Sequence, residues 1–284
     1  KTGAVAKLLV RVFGTPSLAR LASAGGRLLR ATRLPALLAR VLPRRLGFTM
    51  AMLAASAPRR IPAPHDVATE TDRTAIATPT NRPVRVALLD GCVQDGLFGR
   101  VNKATAQVLE WNGCTIVSVP DQRCCGALHA HAGEREAAKA LARVNVEAFE
   151  RAGADYVVVN AAGCGAMMKE YGALLADDPA WAERAAALAS RVRDVNEFLA
   201  ELGPKPGAPI SIRVTYDAPC HLHHAQRIID APLTVLRAIP ELEIVPLRGA
   251  DVCCGGAGIY GVTHPELGGA ILDEKVAAVR ATDA

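Results

Sequence analysis

The chain has 284 residues, of which 50% are hydrophobic and 21% are charged. This length suffices for about two ordinary domains, and the composition excludes wholesale disorder, collagen and low-complexity repeats. Residues 1–60 contain 12 Lys or Arg and no Asp or Glu, which leaves 21 basic against 28 acidic residues in the remainder. Because the body is mildly acidic, we expect no nucleic-acid partner.

The first 55 residues have leucines at spacings of three and four, with arginines between them. This pattern predicts a basic helical connector at 1–55, which would pack on a partner or on an N-terminal region missing from this chain, or lie on a membrane surface. Residues 56–83 are rich in proline and are predicted to be a linker. No apolar run reaches the roughly 18 residues needed to cross a bilayer.

From residue 84 onward, short apolar runs alternate with helical patterns. The predicted strands are 84–90, 115–120, 154–160, 211–217 and 242–247, and the predicted helices are 99–113, 133–153, 177–202 and 265–282. This alternation is typical of βαβ units and a parallel sheet. We therefore predict an α/β fold with two tandem Rossmann-like parallel-sheet modules, at 84–204 and 205–284, preceded by the α-helical basic segment.

Four cysteines follow the first three predicted strands. Cys92 follows the first strand, Cys124 and Cys125 follow the second, and Cys164 follows the third. Because the carboxyl ends of parallel strands meet at one edge of a sheet, we expect these four thiols to converge there.

The cysteine pattern then repeats. Cys220, Cys253 and Cys254 repeat the first copy at a shift of 128 or 129 residues, and each Cys-Cys pair is followed by glycine. Two internal copies of one module are therefore predicted. The counterpart of Cys164 would fall beyond Ala284, so we expect the chain to be a fragment.

The thiols have three possible roles. Disulfides are disfavoured within the Cys-Cys pairs, because adjacent Cα atoms are about 3.8 Å apart and a disulfide prefers about 4.4–6.8 Å. A buried structural role is expected for Cys114, which has no counterpart in the second copy. Metal binding suits the other seven, because soft thiolates bind iron–sulfur clusters, zinc or copper(I). Clusters normally take four cysteines, whereas zinc usually takes C-x2-C pairs, which this sequence lacks.

The doubled pattern resembles the cysteine-rich CCG domain, which occurs in tandem in the heterodisulfide reductase B subunit and its relatives. These relatives include iron–sulfur subunits of glycolate oxidase, of anaerobic glycerol-3-phosphate dehydrogenase and of lactate utilisation. The strings QRCCGALHAHAGE, GCGAMMKEYG and CCGGAGIYGVTHPEL are most similar to those of the glycolate oxidase subunits. The resemblance covers residues 84–284. Because this sequence has no C-x2-C-x2-C-x3-C-P run, the resemblance implies that an N-terminal ferredoxin-like part is missing. The missing counterpart of Cys164 implies that the extreme C-terminus is missing as well.

The resemblance implies that each motif binds a [4Fe–4S] cluster. Its ligands would be Cys92, Cys124, Cys125 and Cys164 in the first copy, and Cys220, Cys253 and Cys254 in the second. The family often has a further cysteine three positions before the last one, where this chain has Ala161. Four thiols rather than five favour an ordinary or simplified site and disfavour disulfide-cleaving chemistry.

The resemblance further implies an electron-transfer subunit of an oxidoreductase complex that oxidises glycolate to glyoxylate. A partner flavoprotein would carry FAD and perform the hydroxy-acid chemistry, so this chain has no predicted catalytic residue. Electrons would pass to a quinone or another membrane acceptor. The expected location is the cytoplasm, with peripheral attachment to the inner face of the plasma membrane as a further possibility.

Two alternatives stay open at this point. One is a thiol or disulfide redox subunit like heterodisulfide reductase, and the other is a zinc-binding assembly module. Five histidines follow the motifs and could be ligands, proton carriers or parts of a quinone site, or simply polar loop and helix-start residues. They are His129, His131, His221, His223 and His224.

Overall fold

The computed structural model describes residues 4–58, 82–256, 258 and 264–284. The predicted linker at 56–83 lies almost entirely outside these ranges. The basic N-terminal segment forms four helices: α1 (Ala4–Gly14), α2 (Pro16–Ala31), α3 (Leu34–Val41) and α4 (Arg44–Ala55). In the described part of the chain, no helix is both long enough and apolar enough to cross a membrane.

The first module contains a four-stranded parallel sheet of order β2-β1-β3-β4. Its elements are β1 (Arg85–Leu88), α5 (Cys92–Trp111), β2 (Thr115–Val117), α6 (Ala127–His131), α7 (Arg135–Ala152), β3 (Tyr156–Val159), α8 (Ala162–Lys169), α9 (Tyr171–Leu174), α10 (Ala182–Ser190), β4 (Val192–Asp194) and α11 (Val195–Leu202). In the register, Val86 lies between Ile116 of β2 and Tyr156 of β3.

The second module contains a two-stranded parallel sheet. Its described elements are β5 (Arg213–Thr215), a short π-helix (His221–Ala225), α12 (Ala231–Arg237), β6 (Glu243–Val245) and α13 (Pro265–Arg280). Val214 of β5 pairs with Ile244 of β6. The predicted α/β class, with two parallel-sheet modules after a basic helical segment, is confirmed.

The core of the first module lies on both faces of its sheet. Alternate residues of a strand point to opposite faces, so Ala87 and Val157 pack on one side with Phe149 of α7. Val86 and Val158 pack on the other side. Because helices cover both faces of the sheet, the strand sequences are continuous apolar runs and do not alternate between apolar and polar residues.

Two predicted elements differ from the structure. Residues 177–202 were expected to be helical, but β4 interrupts them: Val192 is fully buried and pairs with Val157 of β3. Asp194 then caps α11 in a capping box with Glu197, which lets a helix start directly after the strand. A three-residue strand is too short to show a periodicity of its own. The first helix of the module also begins at Cys92, seven residues before its predicted start.

The N-terminal helices pack on the first module. Helix α2 lies close to the start of α5, where a Cβ on Gly96 would be only 2.2 Å from the hydroxyl oxygen of Ser23. The Arg27 Nη1 donates to the Gly96 carbonyl at 2.8 Å, and the Arg30 Nη1 donates to the Leu97 carbonyl at 3.1 Å. The basic segment therefore covers the end of the sheet at which α5 begins.

A surface ion pair joins the segment before β1 to the residue before β3. Arg82 donates to both carboxylate oxygens of Asp155, at 2.9 and 2.7 Å. The same carboxylate accepts the backbone N–H of Arg85 at 2.9 Å. These bonds tie the entry of β1 to the turn that precedes β3.

Candidate functional site

The four cysteines of the first motif lie together at the carboxyl edge of the sheet. Cys92 is the first residue of α5, directly after Gly91, whose φ of 70° turns the chain out of β1. Cys124 and Cys125 are buried in the loop between β2 and α6, and Cys164 lies in the first turn of α8 after β3. The Cys92 and Cys124 sulfurs are 3.3 Å apart.

The electrostatics show that the thiols interact as one group. Hydrogen bonds from the thiols of Cys125 and Cys92 lower the pKa of Cys124 far below its usual range. The pKa of Cys92 is raised, first by its bond to Cys124 and then by burial. The pKa of Cys125 is raised by its interactions with Cys124 and Cys164 and by burial. Negative charge is therefore best stabilised on the Cys124 sulfur, in contact with two neighbouring thiols.

A buried amide and a buried phenol hold the Cys-Cys-Gly loop. The Asn145 side-chain nitrogen donates to the Cys124 carbonyl at 3.1 Å and to the Tyr171 hydroxyl at 3.0 Å. That hydroxyl donates to the Cys125 carbonyl at 2.8 Å, and the Asn145 oxygen accepts the Arg123 N–H at 2.7 Å. Asn145 and Tyr171 are both fully buried. Sequence reasoning missed them; an asparagine within the apolar face of α7 was the available signal.

His129 lies directly beside this site. Its side chain is 2% exposed, its Nδ1 makes no hydrogen bond within the described chain, and it helps to lower the pKa of the Cys124 thiol. A Cβ on Gly14 of α1 would be 2.9 Å from its Nε2, so a side chain at this position would require the imidazole to shift. His129 is thus a buried residue in contact with the thiols, whereas a polar loop position was one of the roles expected for it.

Residues of the second module pack against the first motif. The His221 ring stacks on the His131 ring, with centroids 5.5 Å apart. The Gln226 nitrogen donates to the Ala162 carbonyl at 2.9 Å, at the start of α8. The segment that follows Cys220 therefore contacts α6 through His131 and the start of α8 through Ala162. The other two histidines, His223 and His224, contact each other edge to face.

The three cysteines of the second motif also lie near one another. The pKa of Cys220 is raised by burial and then by the charges of Cys253 and Cys254. The Gly255 N–H donates to the Cys253 sulfur at 3.3 Å. Gly255 has a φ of 78°, and a Cβ there would be 2.2 Å from the Gly268 carbonyl oxygen, so this position requires glycine.

An ion pair with a buried lysine connects the two cysteine loops of the second motif to α13. The Lys275 ammonium of α13 donates to the Asp217 carboxylate at 2.7 Å and to the Gly249 carbonyl at 2.6 Å. Asp217 lies three residues before Cys220, and Gly249 lies four residues before Cys253. This lysine therefore joins α13 to both loops that carry the cysteines.

Cys114 is separate from these groups. It is 8% exposed and packs with Leu109 and Phe198 in the core on one face of the sheet. Burial raises the pKa of its thiol to about 11. This environment matches the expected structural role, because a buried, protonated thiol in apolar surroundings is unreactive.

The first motif offers the donors that an iron–sulfur cluster requires. Four thiols from three loops meet there, and thiolate is the ligand that holds such clusters. Cys92 and Cys164 lie in the first turns of α5 and α8, and the N-terminus of a helix favours negative charge. Within the described ranges, no group of three or more His, Cys, Asp or Glu side chains is arranged around a point where one metal ion would fit.

The fold and the two thiol sites thus define a cysteine-rich α/β protein with two tandem modules. The chain belongs to the cysteine-rich domain (CCG) family, which matches residues 86–169 and 214–284. The two matched segments carry the two copies of the motif that the spacing of the cysteines predicted.

Individual relatives are similar over most of this chain. It is 43% identical over 204 residues to the probable glycolate oxidase iron–sulfur subunit of Bacillus subtilis, covering 70% of this chain and 46% of that protein. It is 34% identical over 218 residues to the glycolate oxidase iron–sulfur subunit of Escherichia coli, covering 74% and 52%. Lactate utilization protein A of Shouchella clausii is 36% identical over 203 residues, covering 71% and 84%. The chain therefore spans about half the length of these glycolate oxidase subunits.

Proposed function

We propose that this chain is an iron–sulfur electron-transfer subunit of a flavin-dependent 2-hydroxy-acid dehydrogenase complex. The single observation that carries the proposal is the meeting of four thiols, from Cys92, Cys124, Cys125 and Cys164, at the edge of the first sheet. Membership of the CCG family and similarity to subunits named for glycolate oxidase and lactate utilization support it. Glycolate, oxidised to glyoxylate, is the proposed substrate of the complex.

The seven motif cysteines are the proposed cluster ligands, four at the first site and Cys220, Cys253 and Cys254 at the second. A bound [4Fe–4S] cluster would supply one-electron redox chemistry. The chain's own residues fix the sulfurs: Asn145 and Tyr171 hold the Cys-Cys-Gly loop, and the buried side chain of His129 contacts the Cys124 thiol.

The proposed partners are a flavoprotein subunit, which carries FAD and oxidises the hydroxy acid, and a quinone-type membrane acceptor. We also propose that the complex works in the cytoplasm, at the inner face of the plasma membrane. The acid-free N-terminal helices support this proposal, because arginines and exposed leucines favour an anionic lipid surface.

Reconstitution with the flavoprotein subunit of a glycolate oxidase tests the function. Under anaerobic conditions, glycolate added to the two proteins together should bleach the visible absorption of the iron–sulfur site, while glycolate added to this chain alone should not. Lactate serves as a second substrate in the same assay. If the mixture shows no bleaching with either acid, and the chain alone reduces a mixed disulfide, the heterodisulfide-reductase-like alternative replaces this proposal.

A further inference from the structure

A cavity of about 590 Å³ lies between the N-terminal helices and the first thiol site. Cys92 and Cys124 form part of its wall, so a molecule inside it would lie against two proposed cluster ligands. Its volume falls within the range of about 300–1,000 Å³ that is usual for small-molecule sites.

The lining of the cavity combines an apolar part with hydrogen-bond donors. Phe13, Pro16, Ala19 and Leu141 supply apolar surface. Arg20 and Arg27 reach it from α2, and Arg123 reaches it from the loop that carries Cys124.

Two of these arginines have donors to spare. In the described part of the chain, Arg20 and Arg123 each make one long bond of 3.4 Å, to the carbonyls of Pro16 and Gln122 respectively. Arg27, in contrast, is held at 2.8 Å by the Gly96 carbonyl. The free guanidinium nitrogens of Arg20 and Arg123 can therefore donate to oxygens of a ligand.

Asp90 and Asp95 also line the cavity, so the site is not purely cationic. A mixture of arginine donors, two carboxylates and apolar wall suits a flat, weakly polar molecule with oxygens at its rim better than a small, highly charged anion. A quinone has this chemistry: the ring is apolar, its carbonyl oxygens accept hydrogen bonds, and the hydroxyls of the reduced form can donate to a carboxylate.

We propose that this cavity is the binding site of the quinone acceptor, with Arg20 and Arg123 donating to the carbonyl oxygens of the ring. The inference rests on the proposed function, because it needs an electron donor at the neighbouring thiols. Reduction of bound quinone to quinol takes up two electrons and two protons. A cluster held by the first-motif cysteines would supply the electrons one at a time, the flavin of the partner would be their source, and water at the mouth of the cavity would supply the protons.

The two helices that form one wall of the cavity also carry exposed leucines. Leu8 and Leu21 are 61% and 71% exposed, and Leu18 is 37% exposed. Under this proposal, the basic helical segment forms one wall of the acceptor site, and its exposed leucines would be available to the apolar tail of a membrane quinone.

Equilibrium dialysis of the full chain against duroquinone tests the proposal directly. All ring carbons of this quinone are substituted, so it does not add to thiols. Wild type should bind it saturably, and Arg123→Gln and Arg20→Gln should each weaken binding about tenfold, because each removes a charged donor. Ala19→Trp should also weaken binding, because the indole would occupy part of the cavity. Arg40→Gln is the matched control, since it removes the same charge from α3 outside the cavity, and its affinity should equal that of wild type.

A second measurement separates this inference from the proposed function. Iron is determined on every sample, and the reoxidation rate of the reduced protein by duroquinone is recorded. Equal affinity in all variants, or a loss in Arg40→Gln as large as in Arg123→Gln, would overturn the cavity assignment even if iron is present. Saturable, variant-sensitive binding to a protein that carries no iron would support the cavity while refuting the electron-transfer function.

Discussion

Removing the Tyr171 hydroxyl is expected to destabilise the first module through the Cys-Cys-Gly loop. Tyr171→Phe deletes the donor to the Cys125 carbonyl at 2.8 Å and the acceptor of the Asn145 amide at 3.0 Å. Each lost bond costs about 1 kcal/mol, and the buried carbonyl left without a partner adds about 1 kcal/mol, which gives about 2–3 kcal/mol. The substitution leaves the ring in place, so no large cavity is created.

Urea unfolding of the reduced full chain, followed by circular dichroism, measures this loss. A decrease of 2–3 kcal/mol lowers the urea midpoint by about 1 M for a typical m-value. Tyr156→Phe is the matched control, because the Tyr156 ring packs on Phe198 while its hydroxyl makes no hydrogen bond to any described residue. We expect Tyr156→Phe to change the free energy of unfolding by less than about 0.5 kcal/mol. If Tyr171→Phe is as stable as Tyr156→Phe, the hydroxyl does not hold the loop and the reasoning fails.

Three further predictions concern other parts of the chain. Cys124→Ser should lose iron from the first site, whereas Cys114→Ser should keep it; equal loss of iron in both would contradict the structural role of the buried thiol. Lys275→Met should lower the free energy of unfolding by about 2–3 kcal/mol, because it removes the buried ammonium that donates to the Asp217 carboxylate and to the Gly249 carbonyl, and an unchanged thermal midpoint would argue against these two bonds. Asp155→Asn should lower the urea midpoint at pH 7, because Arg82 holds the pKa of this carboxyl below its usual value. The carboxylate stabilises the fold above its unfolded pKa of about 3.9, and this contribution is lost as the pH falls through the lower folded pKa, so wild type and variant should converge there.

The convergence of the first four cysteines could be predicted because it depends on topology alone. Once β1, β2 and β3 are parallel neighbours, residues that follow their carboxyl ends must meet at one edge, whatever the loops between them do. The repeat was visible for a similar reason, since a duplicated module keeps its cysteine spacing. The burial of Cys114 followed from its position at the start of an apolar strand.

The parts that could not be predicted depend on tertiary contacts. Asn145 lies on α7 as an ordinary polar residue in the sequence, and only the fold brings it to the Cys124 carbonyl and to Tyr171. Strand β4 has three residues, and its state is decided by pairing with β3 rather than by local preference. The cavity beside α2 likewise depends on how that helix packs on the first module, which the local sequence does not specify.

Iron and inorganic sulfide determined on the anaerobically purified full chain test the central claim most directly. We predict a brown protein with at least about four irons and four sulfides per chain, the content of one cluster held by the first motif. Substitution of Cys92 or Cys164 by serine should reduce that content, while Cys114→Ser should not. A colourless protein that instead contains about one zinc per motif would contradict the claim and support the zinc-binding alternative.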